Sequence, residues 1–256
     1  LAWRYILATV ALAPVVYALG RRGDRRGLRV AALAGLIQSL IAVISLSALK
    51  YVPAGPLAFL FYTYPGWVAV VARIRHSEPL TPLRLAALVL SLVGIFVMVG
   101  APGGITLHPI GVLLAMISAV LYAIYIPMIG KMQRELSPVV TATYMTAGAA
   151  FFLGVAAATR GEFRADLHMT AWWSILALAL VSTALAFLIF LRGLDVLGPV
   201  RAAIVSTVEP FFTAILGATV LAQPLTRTTF IGGVFIAAAV VMLQLRRANG
   251  TQTTAA

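Results

Sequence analysis

Apolar residues run through this chain in blocks of about twenty, cut by short polar stretches. About 20 apolar residues carry a helix across a bilayer. Nine blocks meet or approach that length: 2–20, 30–49, 54–73, 83–100, 109–130, 138–159, 170–191, 199–222 and 228–245. The connections between them are too short to hold a soluble domain. The pattern predicts an all-α fold, a polytopic membrane helix bundle.

The blocks repeat. Residues 48–81 align without a gap to residues 193–226, at a constant offset of 145. Leu49 meets Leu194, Ala58 meets Ala203, Pro65 meets Pro210, and Pro79-Leu80-Thr81 meets Pro224-Leu225-Thr226. Secondary transporters are commonly built from such internal repeats. The second copy holds five blocks, beginning with 109–130, and the first holds four. The expected partner of 109–130 would precede residue 1, giving ten spans in a five-plus-five plan. Because five is odd, the halves would insert with opposite topology, as an inverted repeat. The domain reading is a first repeat over 1–104, a second over 105–247, and a disordered cytoplasmic tail over 248–256.

Composition strengthens the membrane reading. The chain is 62% hydrophobic and 10% charged, with a mean hydropathy of +1.02. Soluble domains carry roughly 25% charged residues. Too few polar groups exist to cover a water-facing surface, so lipid bilayer must cover much of it. There is no cysteine, hence no disulfide, thiolate nucleophile or Cys-based metal site. The net charge is +12, but the charges sit between apolar blocks rather than in one patch. That distribution speaks for topology and against a nucleic-acid partner. Fourteen Lys and Arg residues fall on one side of the predicted spans and five on the other. The richer side is expected to be cytoplasmic, and the C-terminus with it. Arg outnumbers Lys 17 to 2, a usage that points to a GC-rich bacterium and hence to its inner membrane.

The candidate chemistry gathers near the repeated prolines. A proline within a helix cannot donate to the carbonyl four residues back. Pro65 thereby frees the carbonyl of Phe61, and Pro210 that of Ser206. A free carbonyl in the membrane is tolerated where it is buried in protein or lines a wet cavity. Glu209 is the one carboxylate well inside an apolar block. An ionisable residue there is expensive and generally faces the bundle interior or water. It suits proton coupling or a counter-charge for a cationic substrate; the structural alternative is a bond to backbone or an Arg. Arg4, in the first block, is a candidate for a substrate carboxylate, a partner for Glu209, or an interfacial snorkelling residue.

The aromatic run Phe59, Phe61, Tyr62, Tyr64, Trp67 aligns with Ile204, Ser206, Thr207, Glu209, Phe212. An aromatic face in one half would thus oppose a polar one in the other. Ser118, Tyr122 and Tyr125 follow i, i+4, i+7 and form a stripe on one helix. Gln38 and Thr183 match under the offset, and interhelical hydrogen bonding serves as well for them as substrate contact. The expected substrate-binding set is Arg4, Gln38, Tyr62, Tyr64, Ser118, Tyr122, Tyr125, Thr183, Ser206 and Glu209. His76, His108 and His168 lie in loops without metal-ligand spacing. No phosphate-binding loop, catalytic triad or paired carboxylates stand out, so no cofactor, metal or enzymatic reaction is expected.

The order, spacing and duplication of these residues resemble the EamA family of the drug/metabolite transporter superfamily. The first half carries the likeness on Ala48-Leu49, Tyr51, Ala54, Pro65, Glu78-Pro79-Leu80-Thr81 and Gly94. The second carries it on Leu194, Arg201-Ala202-Ala203, Glu209-Pro210, Pro224-Leu225-Thr226 and Gly232-Gly233. Arg4 and Tyr122 also resemble positions the family favours. Two departures stand out: Ala222-Gln223 replaces the family's Gly-Glu, and the first helix is missing. The resemblance implies ten helices and movement of small metabolites through a central cavity. The expected activity is secondary transport, as an exporter of compounds such as amino acids, by alternating access. The expected state is monomer or homodimer. A non-transporting membrane subunit, or an intramembrane enzyme, is the competing reading.

Overall fold

The computed structural model describes residues 1–18, 25–52, 54–75, 81–99, 108–134, 136–163, 166–210, 212, 215–216, 219 and 227–252. Among them every regular element is helical and no strand occurs. The helices are α1 (Ala2–Ala18), α2 (Arg25–Ala48), α3 (Ala54–Phe61), α4 (Tyr64–Ile74), α5 (Pro82–Val99) and α6 (Pro109–Gln133). There follow α7 (Pro138–Thr159), α8 (Met169–Ala179), a π-helical segment Leu180–Leu185, and α9 (Ala186–Leu197). Next come α10 (Pro199–Val205), a 3₁₀ turn Ser206–Val208, and α11 (Arg227–Gln252). The last helix reaches Gln252, within the tail expected to be disordered.

Four described helical stretches are long and apolar enough to cross a membrane: Gly27–Ala48, Pro109–Gln133, Pro138–Thr159 and Met169–Leu197. Ala2–Ala18, Pro82–Val97, Pro199–Val208 and Phe230–Met242 are shorter apolar helices. Large apolar side chains such as Val10, Phe151, Trp173 and Ile189 lie more than 60% exposed. In water such surfaces would aggregate; they fit a lipid-covered bundle.

Prolines set several helix starts. Pro82, Pro109, Pro138 and Pro199 each open a helix, where a missing N–H costs nothing. Ser137 caps α7 by accepting from the Val140 N–H. Gly198 ends α9 at φ 77°, ψ 167°, a conformation open essentially to glycine, and turns the chain into Pro199.

The chain divides into two compact units, each drawing on both sequence halves. Leu1–Val43 and Tyr125–Gly198 form the first. Here α1 packs along α7 and α8, and α7 packs on α9. Ala2, Tyr5, Ala149 and Leu153 form its small core, with Val43 and Phe187 against it. Gly35 and Gly148 bring α2 and α7 so close that a Cβ on either would overlap the other helix's backbone. Small residues of this kind let membrane helices meet at van der Waals distance.

Ile44–Ile124 and Pro199–Ala256 form the second unit. Its largest packing is α5 along α11, and α4 packs on α10. Ala48, Val52, Leu57 and Ala115 form a buried cluster. A Cβ on Gly94 would meet the Gly232 carbonyl oxygen at 2.7 Å, so the α5–α11 approach also depends on glycine.

Candidate functional site

The block expected as one span over 54–73 is two helices. Helix α3 stops at Phe61, Tyr62 and Thr63 form a turn, and α4 starts at Tyr64 with Pro65 in its first turn. The cause is local. Pro65 has no N–H for the Phe61 carbonyl. The Thr63 hydroxyl and N–H both donate to the Leu60 carbonyl, at 2.7 and 3.3 Å, closing α3. Gly66 N–H then bonds the Thr63 carbonyl at 3.0 Å. Proline alone does not dictate this, because Pro14 and Pro127 sit inside continuous α-helices.

Pro210 is handled differently. Ahead of it the helix tightens to 3₁₀ over Ser206–Val208, and the Glu209 N–H donates to the Ser206 carbonyl. The carbonyl that Pro210 cannot serve is thereby taken, which corrects the expectation that it stands free. The equivalent prolines give a broken helix in one half and a tightened one in the other.

Both segments lie in the second unit, and their side chains meet there. The Tyr62 hydroxyl hydrogen-bonds the Glu209 carboxylate. Tyr64, 1% exposed, reaches the Ala203 carbonyl at 3.5 Å and hydrogen-bonds Ser206. Tyr122 stands edge-on to Tyr64 with ring centroids 4.8 Å apart, and 5.4 Å from Phe61. Tyr62 and Phe61 complete the cluster, at 6.2 and 5.6 Å from Tyr64. These spacings favour edge and tilted aromatic pairs. Ser206 also bonds its own helix, donating to Ala202 at 2.9 Å. An aromatic wall, with Phe61, Tyr62 and Tyr64 from the first half and Tyr122 from the second, thus stands against a hydroxyl and a carboxylate of the second half. The Phe59 side chain lies outside the described residues, and Trp67 is exposed.

Ser118 is fully buried and bonds back to the Leu114 carbonyl at 3.0 Å. The stripe on α6 is split: Ser118 and Tyr122 belong to the second unit, Tyr125 to the first. Tyr125 is 3% exposed, and its hydroxyl faces the Met145 sulfur at 2.6 Å.

A second polar group lies in the first unit. Arg4 donates from Nε to the Thr183 hydroxyl and from Nη2 to the Ser182 carbonyl at 2.9 Å. Thr183 donates in turn to the Leu178 carbonyl, five residues back, at 3.0 Å. That side-chain bond reaches from the π segment back into α8, while the Ser182 carbonyl within the segment accepts from Arg4. Such single π turns are frequent at functional sites. Gln38 donates to the Tyr5 hydroxyl at 3.0 Å. Gln38 and Thr183 thus bond to adjacent residues of α1, Tyr5 and Arg4. Sequence reasoning missed Tyr5 and the π segment; Tyr5, a polar tyrosine beside Arg4 in an apolar block, was the available signal. Among the described residues no cluster of three or more His, Cys, Asp or Glu side chains is suited to a metal. Pro79-Leu80 and Pro224-Leu225-Thr226 fall outside the described residues.

Apolar, close-packed helices with a polar, aromatic-lined group at broken backbone define a helical membrane protein. The profile of the EamA-like transporter family matches residues 1–100 and 109–245. The chain belongs to that family and is a multi-pass membrane transporter. It is 26% identical over 197 residues to an uncharacterized transporter of Archaeoglobus fulgidus, spanning 77% of this chain and 69% of that protein. A solved crystal structure 19% identical in sequence superposes with a TM-score of 0.80, covering 96% of this chain and 87% of that one. At that identity the likeness is one of fold.

Proposed function

We propose that the protein is a secondary transporter, working as an exporter, for small organic metabolites that carry an amine, amino acids and related compounds among them. The substrate binds at the group formed by Phe61, Tyr62, Tyr64, Tyr122, Ser206 and Glu209. The observation that carries this reading is the Tyr62–Glu209 hydrogen bond. It joins the two proline-bearing segments that the 145-residue offset makes equivalent, the place where repeat-built transporters hold substrate. Aromatic faces attract cations held within about 6 Å of the ring centre, and the carboxylate supplies the counter-charge. Displacing the Tyr62 hydroxyl would let Glu209 take either a substrate ammonium or a proton, which makes a proton gradient the coupling this site is suited to. Arg4, Gln38 and Thr183 support the bundle around the π segment. An inverted five-plus-five plan, with four spans in 1–104 and five in 105–247, and alternating access complete the picture. The setting is a bacterial inner membrane, and the state a monomer or homodimer.

The test is flux of a panel of radiolabelled amino acids and simple amines in proteoliposomes at two pH values. Glu209→Gln is expected to lower flux at least tenfold, about 1.4 kcal/mol, at an unchanged level of inserted protein. Tyr62→Phe keeps the ring and loses the donor, and should reduce flux less. Wild-type flux in Glu209→Gln would remove Glu209 from the site. Wild-type flux that ignores an imposed pH gradient would remove the proton from the cycle.

A further inference from the structure

The exposed side of α2 is headed by arginine. Gly27, Val30 and Ala34 are buried, and a Cβ on Gly27 would overlap the Tyr144 ring of α7, so that face is pressed onto the first unit. At about 100° per residue, Arg25 and Arg29 stand roughly opposite Gly27, and both are exposed. Leu33, Leu36 and Leu40 continue the same stripe, 49%, 39% and 43% exposed. A helix rises about 1.5 Å per residue, so Leu40 lies roughly 16 Å along from Arg29. That is half the hydrocarbon core of about 30 Å, the depth of one leaflet. Charge bias between loops fixes the side on which arginines fall, but any position in the loop would serve it. It does not ask for two arginines one turn apart on the outer side of a helix. Arginines at a helix N-terminus also work against the macrodipole, and α2 has no acid in its first turn to offset them. The 145-residue offset supplies an internal comparison. Thr170, Ser174, Leu178, Val181 and Leu185 are the equivalents of Arg25, Arg29, Leu33, Leu36 and Leu40, and all five are exposed. The apolar stripe is common to both repeats; the arginine pair belongs to the first alone.

We propose that Arg25 and Arg29 bind the headgroup phosphate of an anionic phospholipid of the surrounding bilayer, whose acyl chain lies along Leu33, Leu36 and Leu40. A guanidinium forms paired, charge-assisted hydrogen bonds to phosphate oxygens. Anionic headgroups are the counter-charge that basic residues beside a membrane helix attract. Arg26 follows Arg25 directly, and Arg21 and Arg22 stand close ahead in sequence, which raises the positive potential at this end of α2. The headgroup is one of net negative charge, such as phosphatidylglycerol. A zwitterionic headgroup brings its own ammonium toward the arginines and gains less. A soluble anion would use the arginines and leave the leucines unused. This lipid site stands apart from the substrate reading, and its test does not measure flux.

The chain has no cysteine, so a fluorophore on an introduced one reports alone. Leu36→Cys reads the proposed site, and Val181→Cys reads its equivalent in the second repeat. Each labelled protein is reconstituted in vesicles of phosphatidylcholine with a fixed minor fraction of phosphatidylglycerol. One lipid or the other carries bromine on its acyl chains as the quencher. Quenching at 36 is expected to show phosphatidylglycerol enriched several-fold over its bulk share, and quenching at 181 to match that share. Arg25→Gln combined with Arg29→Gln should return position 36 to the bulk share. Arg73→Gln combined with Arg75→Gln removes the same charge from two other exposed arginines and should leave the enrichment intact. No enrichment at 36, or equal enrichment at 181, overturns the proposal. So does an equal loss in the Arg73 and Arg75 pair, which would mark diffuse charge. Enrichment that inorganic phosphate removes at constant ionic strength would mark a site for soluble anions and overturns it too.

Discussion

Glu209 and Arg4 are the charged residues that the fold ties into polar groups inside apolar helices, and they are tied differently. Glu209 is held by a tyrosine hydroxyl and remains exposed, so a substrate can compete for it. Arg4 spends two donors on Ser182 and Thr183, 178 and 179 residues away along the chain, which suits a strut. Polar contacts between membrane helices average about 0.6 kcal/mol. Arg4→Gln should therefore lower stability by about 1–2 kcal/mol, seen as a lower melting temperature in detergent. Flux per folded molecule should stay near wild type; a selective loss of flux without loss of stability would return Arg4 to the substrate. The offset singled out the Pro65 and Pro210 segments in the sequence, but it aligned Tyr64 with Glu209, whereas the bond to Glu209 comes from Tyr62. The Arg4–Thr183 bond was not legible. Nothing in composition marks which of many serines and threonines faces an arginine two-thirds of the chain away.

At the scale of the helix, apolar runs announced where helices would form, and the long stretches came out close to the expected bounds. What the runs could not announce was backbone type. A π turn, a 3₁₀ turn and a break leave the apolar pattern unchanged, because they alter which carbonyl each N–H reaches and not which residues are apolar. Pro65 shows the point. It read as a kink within one span, and Thr63, by closing Leu60, made it a new start. Helix contacts offer a sharper test. Gly94→Ala places a methyl against the Gly232 carbonyl and Ile236, and overpacking of this sort costs about 1–3 kcal/mol. Gly154→Ala meets nothing within 4 Å and should be neutral or stabilising by about 0.5–1 kcal/mol through helix propensity. Thermal unfolding of the pair decides it; equal melting temperatures would mean that α5 and α11 do not rely on glycine contact.

For the whole molecule, the distribution of basic residues makes its own prediction. Fourteen on one side against five on the other predicts a cytoplasmic C-terminus. A C-terminal fluorescent protein should mature there, and a C-terminal alkaline phosphatase should stay inactive; active phosphatase would reverse the orientation. Family membership was legible from ordered small motifs, none of them distinctive singly. The division into two units was not, since each unit interleaves stretches from both halves and α2 and α6 each contribute to both.

The π turn at Leu180–Leu185 carries one consequence of another kind. In a transporter made of two perfect inverted copies, the inward-open and outward-open forms are related by a two-fold rotation about an axis in the membrane plane, degenerate in energy and populated equally. Helix α2 is plain α-helix through the equivalent residues 35–40. On the proposed alternating-access cycle, this difference in backbone would lift the degeneracy before substrate or gradient acts. A bias of about 1.4 kcal/mol would rest the protein tenfold on one side. Deleting one residue within 180–185 should relax the turn to α and draw that ratio toward one, read as equal labelling of buried cysteines from either face of the membrane. A ratio that does not move would mean the resting preference is set elsewhere.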